Sequence, residues 1–226
     1  MAISKTFRIL WLRRSPRFAR DDKVTILITF TLDNKSACLR VFDKNGEFLR
    51  TIGGQGQGPG EMHYPIFVQV IDNKELIIYD PLTRRFLIFT LDGKYLRDIS
   101  SARIMSPLNP IRFDPQKNLV AFLVLPPPLG GIELKKFDSN LELIAMIYKE
   151  EKDDSYLRHE ILIEGPSLSC AVSLDGRIVW GDSEKYELQI LSPEGKLPKK
   201  ITRDYKRLKI TEKKWTDPQN SNHPEC

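Results

Sequence analysis

At 226 residues, with 41% hydrophobic and 29% charged side chains, the chain has a globular composition and enough length to bury a core, in one domain or as an array of repeats. No apolar run reaches the length of a membrane-spanning helix, and Cys38, Cys170 and Cys226 form no CxxC pair, which points to incidental thiols and not to a disulfide framework. The net charge of +5 sits at the ends: residues 1–23 carry seven basic and two acidic side chains, residues 196–214 nine and two, whereas residues 24–195 hold 19 basic against 24 acidic, a body not expected to track nucleic-acid phosphates.

The first segment, 1–23, is basic, and its short apolar patch (MAISKTFRILWLRR) is interrupted by Arg8 and ended by Arg13. It is too short for a signal-peptide core and no small-residue cleavage site follows, so the sequence as written carries no export signal and a cytoplasmic location is the default expectation.

From residue 24 onward the pattern is of strands. Residues 39–53 (LRVFDKNGEFLRTIG), 86–100 (FLIFTLDGKYLRDIS), 134–150 (LKKFDSNLELIAMIYKE) and 188–202 (LQILSPEGKLPKKIT) each run from a strand through a polar turn into another strand. Their turn positions, Gly46, Gly93, Leu141 and Gly195, lie 47, 48 and 54 residues apart. An all-strand repeat of this length predicts an all-β fold, a β-propeller of four-stranded antiparallel blades. The second repeat is the clearest. Residues 67–71 (FVQVI) end in an Asp-Asn-Lys turn, 76–79 (LIIY) close on Asp80, 81–85 form a polar connection, and Asp92-Gly93 marks a hairpin between 86–89 and 95–99. Within the repeats a spacing of nine residues separates Asp33 from Phe42, Asp80 from Phe89 and Asp182 from Leu191. In the first repeat the counterpart of the inner strand falls on residues 21–24, which are charged, so an incomplete first blade is expected. The chain then divides into a basic segment (1–23), blades (24–202) and a basic segment or linker into a missing blade (203–226), with about four blades legible.

Motifs with chemistry are sparse. The run Gly53-Gly54-Gln55-Gly56-Gln57-Gly58-Pro59-Gly60 lacks the Lys-Ser/Thr of a phosphate loop and the spacing of a dinucleotide fingerprint, so it reads as a blade-to-blade connection. Asp33, Asp80 and Asp182 recur at the end of a second strand, where a carboxylate caps the following turn. His63, His159 and His223 show no paired ligand spacing, and no nucleophile stands with a base, so neither a metal nor another cofactor is expected.

Residues 41–61 (VFDKNGEFLRTIGGQGQGPGE), followed by Pro65 and the strand pattern ending at Asp80, resemble the bacterial and archaeal six-bladed β-propellers related to NHL-repeat and TolB-like propellers, over about residues 33–212. The resemblance implies a ring of six blades and, for many members, export or lipid anchoring. This sequence is about two blades short of such a ring and lacks a lipoprotein signal.

Strand alternation in a blade puts the hairpin turns on one face and the irregular connections on the other: 55–64, 81–85, 101–110, 126–131, 150–166 and 184–186. Recognition concentrates on such loops. The expectation is a non-catalytic binding or scaffold module for a protein, peptide or saccharide, with Gln57, His63, Tyr64, Arg84, Arg85, Tyr156, His159 and Tyr186 as contact residues. The alternatives are a lyase- or hydrolase-type propeller enzyme with a central-channel site, and an RNA-binding NHL-like module. Self-association through open blade edges is also expected.

Overall fold

The computed structural model describes residues 6–13, 25–104, 107–125, 131–150, 168–182, 186–196 and 199–204. All described elements are strands, in four antiparallel sheets whose strands neighbour one another in chain order. The first sheet is β1 (Thr6–Arg13), β2 (Thr25–Asp33), β3 (Cys38–Asp43) and β4 (Phe48–Ile52). The second is β5 (Phe67–Ile71), β6 (Glu75–Asp80), β7 (Arg85–Thr90) and β8 (Tyr95–Ser100). The third is β9 (Pro107–Phe113), β10 (Leu119–Leu125), β11 (Gly131–Phe137) and β12 (Leu143–Glu150). The fourth is β13 (Leu168–Val172), β14 (Ile178–Asp182), β15 (Glu187–Leu191) and β16 (Lys199–Thr202). First strands touch in chain order, β1 to β5 to β9 to β13, so they lie innermost and the sheets are consecutive blades of a partial propeller. Among the described residues no helix is long and apolar enough to cross a membrane.

The first blade is complete, which corrects the expectation drawn from residues 21–24. Its inner strand is β1, paired with β2 from Thr6 opposite Asp33 to Arg13 opposite Thr25. The connection 14–24 is much longer than the turns of the other blades and displaces the strand from the 47-residue ruler. The irregular connection after β8 is also shorter than expected. Strand β9 already begins at Pro107, with a register shift beside Asn109 and Pro110, a place where a residue without an N–H is tolerated.

Six hairpin turns share one frame. In the turns that start at Asp43, Thr90, Asp114, Asp138, Ser173 and Ser192, the N–H of that residue donates to the carbonyl four residues on. The N–H of the residue three on (Gly46, Gly93, Lys117, Leu141, Gly176 and Gly195) donates back to the first carbonyl, and this residue has positive φ. That is a type I turn closed by a left-handed residue. Where the first residue is an Asp, an amide follows two on (Asn45, Gln116, Asn140) and its backbone N–H reaches the Asp carboxylate. Where the first residue is Thr90, Ser173 or Ser192, an acid follows (Asp92, Asp175, Glu194), and the hydroxyl bond holds that carboxyl below its usual range. Either way the pair keeps one donor facing one acceptor.

The cores lie between blades, and each blade offers four buried positions to its follower. These are Phe30, Leu32, Leu39 and Val41, then Ile77, Tyr79, Phe86 and Ile88, then Val120, Phe122, Ile132 and Leu134. Between the second and third blades the Gln69 amide donates to the Phe113 carbonyl (2.8 Å) and accepts from its N–H (2.9 Å). In the third blade the Lys136 ammonium pairs with Asp114 Oδ2 (2.9 Å), and it crosses to the fourth by donating to the Pro193 carbonyl (2.6 Å). Cys38 and Cys170 are buried free thiols, and burial pushes Cys170 up to about 11.

The two terminal blades differ. The outward face of the first is mostly polar, with Thr29, Thr31, Thr51 and the Arg40–Asp33 ion pair, but it also carries the Phe42–Phe48 edge-to-face pair, Phe48 being exposed. On the fourth, the positions equivalent to the buried quartets are Val179, Gly181, Leu188 and Ile190, beside Ile201, and Leu188 is 48% exposed. The outer edges are poor templates for pairing, because register shifts leave Leu49, Leu96 and Ile144 unpaired and twist β4, β8 and β12. Self-association is therefore expected through the apolar face of the fourth blade. In size-exclusion chromatography with light scattering the chain should exceed 26.1 kDa, increasingly so with concentration. Leu188→Glu combined with Ile190→Lys should return it to monomer, and a concentration-independent monomer of the unaltered chain would contradict the expectation.

Candidate functional site

The site is built on the irregular face of the second blade, around one side chain. Asp80 ends β6 and is 0% exposed. Its Oδ1 accepts the backbone N–H groups of Leu82 (3.0 Å) and Thr83 (3.2 Å), capping the β6–β7 connection as expected from its place at a strand end. Its Oδ2 accepts the N–H groups of His63 (2.5 Å) and Tyr64 (3.2 Å) from the connection between blades. One buried carboxylate thus holds two loops that are remote in sequence, and four charge-assisted bonds compensate its desolvation. Asp33 does the local half of this job. It accepts the Ser36 N–H (3.0 Å), and that bond, helped by Arg40, holds its carboxyl below the usual range. The side chain of Asp182 lies outside the described residues.

Two amides of the glycine run, those of Gly56 and Gly58, are spent within the loop. The Gly56 N–H donates to the Met62 carbonyl (3.0 Å), the Met62 N–H to the Gly54 carbonyl (2.8 Å), and the Gly58 N–H to Glu61 Oε2 (2.8 Å). Those two glycine amides are not available to an anion. Gly53 has φ +73°, and a Cβ there would meet Met62 Cε at 2.3 Å, so the run closes tightly over a buried methionine.

Of the expected contact residues, the structure brings His63, Tyr64, Arg84 and Arg85 together around Asp80, with Gln57 exposed in the same interblade connection. His63 is half-buried with its Nε2 atom buried and unpartnered among the described residues, and the Arg85 guanidinium bonds Asp98 Oδ2 and the Glu61 carbonyl (3.1 Å each). Tyr64 is 44% exposed and Arg84 is exposed. Tyr186 is 49% exposed but belongs to the fourth blade, away from this cluster. Tyr156 and His159 lie outside the described residues. Sequence reasoning missed Leu82, 70% exposed at the tip of the β6–β7 connection. Its signal was an isolated apolar residue inside a polar turn. No group of three or more potential metal ligands occurs among the described residues.

The fold defines a partial β-propeller whose irregular loops meet at Asp80. Residues 23–122, somewhat under half of the chain, match the model of the family DUF5128, described as a 6-bladed beta-propeller. Among solved structures the chain is similar to a Bacteroides fragilis protein named as exported, with 18% identity and a TM-score of 0.58 over 84% of this chain and 54% of that one. It is also similar to a Bacteroides vulgatus member of the DUF4221 family, with 13% identity and a TM-score of 0.56 over 92% and 64%. At those identities the likeness shows the fold alone, and the chain spans roughly half to two thirds of the length of either structure. A comparison with curated proteins finds no match.

Proposed function

We propose that the chain is a non-catalytic recognition module that binds a protein, peptide or saccharide ligand on the irregular face of its second blade. The supporting observation is the Asp80 clamp: one buried carboxylate fixes both loops, and Tyr64, Leu82 and Arg84 stand exposed on the backbone it holds. An aromatic, an aliphatic and an arginine side chain on immobilised backbone form the usual composition of a protein-binding hot spot, and preorganisation lowers the entropic cost of binding. A peptide suits Leu82 better than a sugar does.

The test is to screen the intact chain on peptide and glycan arrays and to repeat the binding with Tyr64→Ala and Leu82→Ala. Each variant should lose about tenfold or more in affinity for the selected probe, with an unchanged unfolding midpoint. No binder on either array, or binding indifferent to both substitutions, would overturn the reading.

A further inference from the structure

The backbone at Arg84 carries information that its exposure alone does not. Arg84 has φ +52°, the left-handed conformation that glycine adopts freely and side chains resist. It stands four residues after Asp80. Four residues after Asp33 and Asp182 stand Ala37 (φ +49°) and Tyr186 (φ +48°), so the same corner recurs in the first, second and fourth blades. The geometry has a structural cause. The left-handed turn aims the Arg84 carbonyl at the Ser101 N–H (2.8 Å), where the chain leaves β8, and the Tyr186 carbonyl at the Arg203 N–H (3.3 Å), where it leaves β16. Glycine would meet that demand at every corner. Ala37 is buried, and packing accounts for its side chain. Arg84 is exposed, and packing does not account for it.

The chemistry around Arg84 narrows its use. Its neighbour Arg85 is bonded through both terminal nitrogens, whereas the Arg84 guanidinium has no hydrogen bond or ion pair among the described residues. The acids of the same loops are already engaged: Asp80 by four backbone N–H groups and Glu61 by the Gly58 N–H. The Arg84 guanidinium is near enough to Tyr79 for its charge to favour the phenolate. Standing on a positive-φ backbone in the same clamped loops as Tyr64 and Leu82, it presents a donor fork suited to a carboxylate with an apolar neighbour.

We infer that Arg84 is the anchor of the platform and that the ligand it anchors is an acidic peptide segment, held through a side-chain carboxylate. This rests on the recognition reading above. Backbone strain is then tolerated at this corner for the sake of the side chain, as at other binding sites.

The experiment measures fluorescence anisotropy with a labelled poly(Glu,Tyr) copolymer, its poly(Gln,Tyr) counterpart and labelled oligogalacturonate, using the intact chain and the variants Arg84→Gly, Arg84→Lys and Tyr64→Ala. The Glu copolymer should bind, and the Gln copolymer at least tenfold more weakly. Arg84→Gly should lose tenfold or more of the affinity while its unfolding midpoint stays level or rises. Arg84→Lys, a point charge without the fork, should fall between. A lower midpoint for Arg84→Gly would overturn the strain argument. Binding that depends on Tyr64 but is equal for Glu and Gln copolymers and indifferent to Arg84→Gly would overturn the anchor and leave the platform standing. Oligogalacturonate binding without copolymer binding would overturn the peptide assignment alone. No binding of any probe would overturn the inference, and the array screen then decides separately on the platform.

Discussion

Replacing Asp80 with Ala should cost about 3–5 kcal/mol of stability, a large share of what a domain usually possesses. The carboxylate has no access to water, and its removal leaves the N–H groups of His63, Tyr64, Leu82 and Thr83 without their acceptor. A buried donor left unpaired costs about 1–3 kcal/mol, and these four do not sum fully because the loops would open to water. Asp80→Asn separates shape from charge. The amide fills the same space but offers one oxygen and turns an NH2 toward two donors, so it should lose about 2–3 kcal/mol, less than Ala. Urea unfolding reads the loss. Amide hydrogen exchange locates it, with faster exchange expected at residues 63, 64, 82 and 83 before the strands respond. Both variants should also weaken any ligand that needs Tyr64 and Arg84, whose backbone positions depend on the clamp. An Asp80→Ala protein as stable as the parent would contradict the whole account of the site.

The expected effect rests on an arrangement of which only half was readable from the sequence. Recurrence at a strand end identified Asp80 as a cap for its own connection, because Asx geometry is local. The reach of Oδ2 to residues 63 and 64 was not legible, since it depends on how the interblade loop folds over the second blade. The turn positions tell a similar story. Gly46, Gly93, Leu141 and Gly195 were marked by spacing alone, and all four adopt positive φ, Leu141 included. The residues that open these turns went unmarked, because Asp, Thr and Ser alternate at one position and the compensating amide or acid sits two places on. What recurs among the six turns of this chain is a donor–acceptor pair and not one residue type. β1 was lost for another reason. The 47-residue ruler assumes a short first hairpin, and the 14–24 connection breaks it while leaving the pairing of β1 with β2 intact. The bonds of Arg85 to Asp98 and Glu61 are not legible in sequence either, because they depend on how two remote loops fold against one another.

Substituting Lys136 with Met should be the second large effect, about 3 kcal/mol, and its partner variant tests the reason. Lys136 and Asp114 have side chains 5% and 0% exposed, so neither charge is screened by solvent. Removing one member of a buried pair leaves the other uncompensated, which typically costs about 3–5 kcal/mol, whereas replacing both is often close to neutral. Asp114 keeps the Gln116 and Asn118 N–H groups and the Asn118 side-chain amide, which places Lys136→Met at the low end. Lys136→Met with Asp114→Asn should recover at least about 1 kcal/mol relative to Lys136→Met alone, because the neutral amide needs no counter-charge and still accepts through Oδ1. Lys136 also bonds the Pro193 carbonyl in the turn between β15 and β16, so the single variant should loosen the fourth blade more than the others. Hydrogen exchange would show β13–β16 opening first, and a double variant no better than Lys136→Met would mean that the lost Pro193 bond and packing, and not the uncompensated Asp114 charge, set the cost.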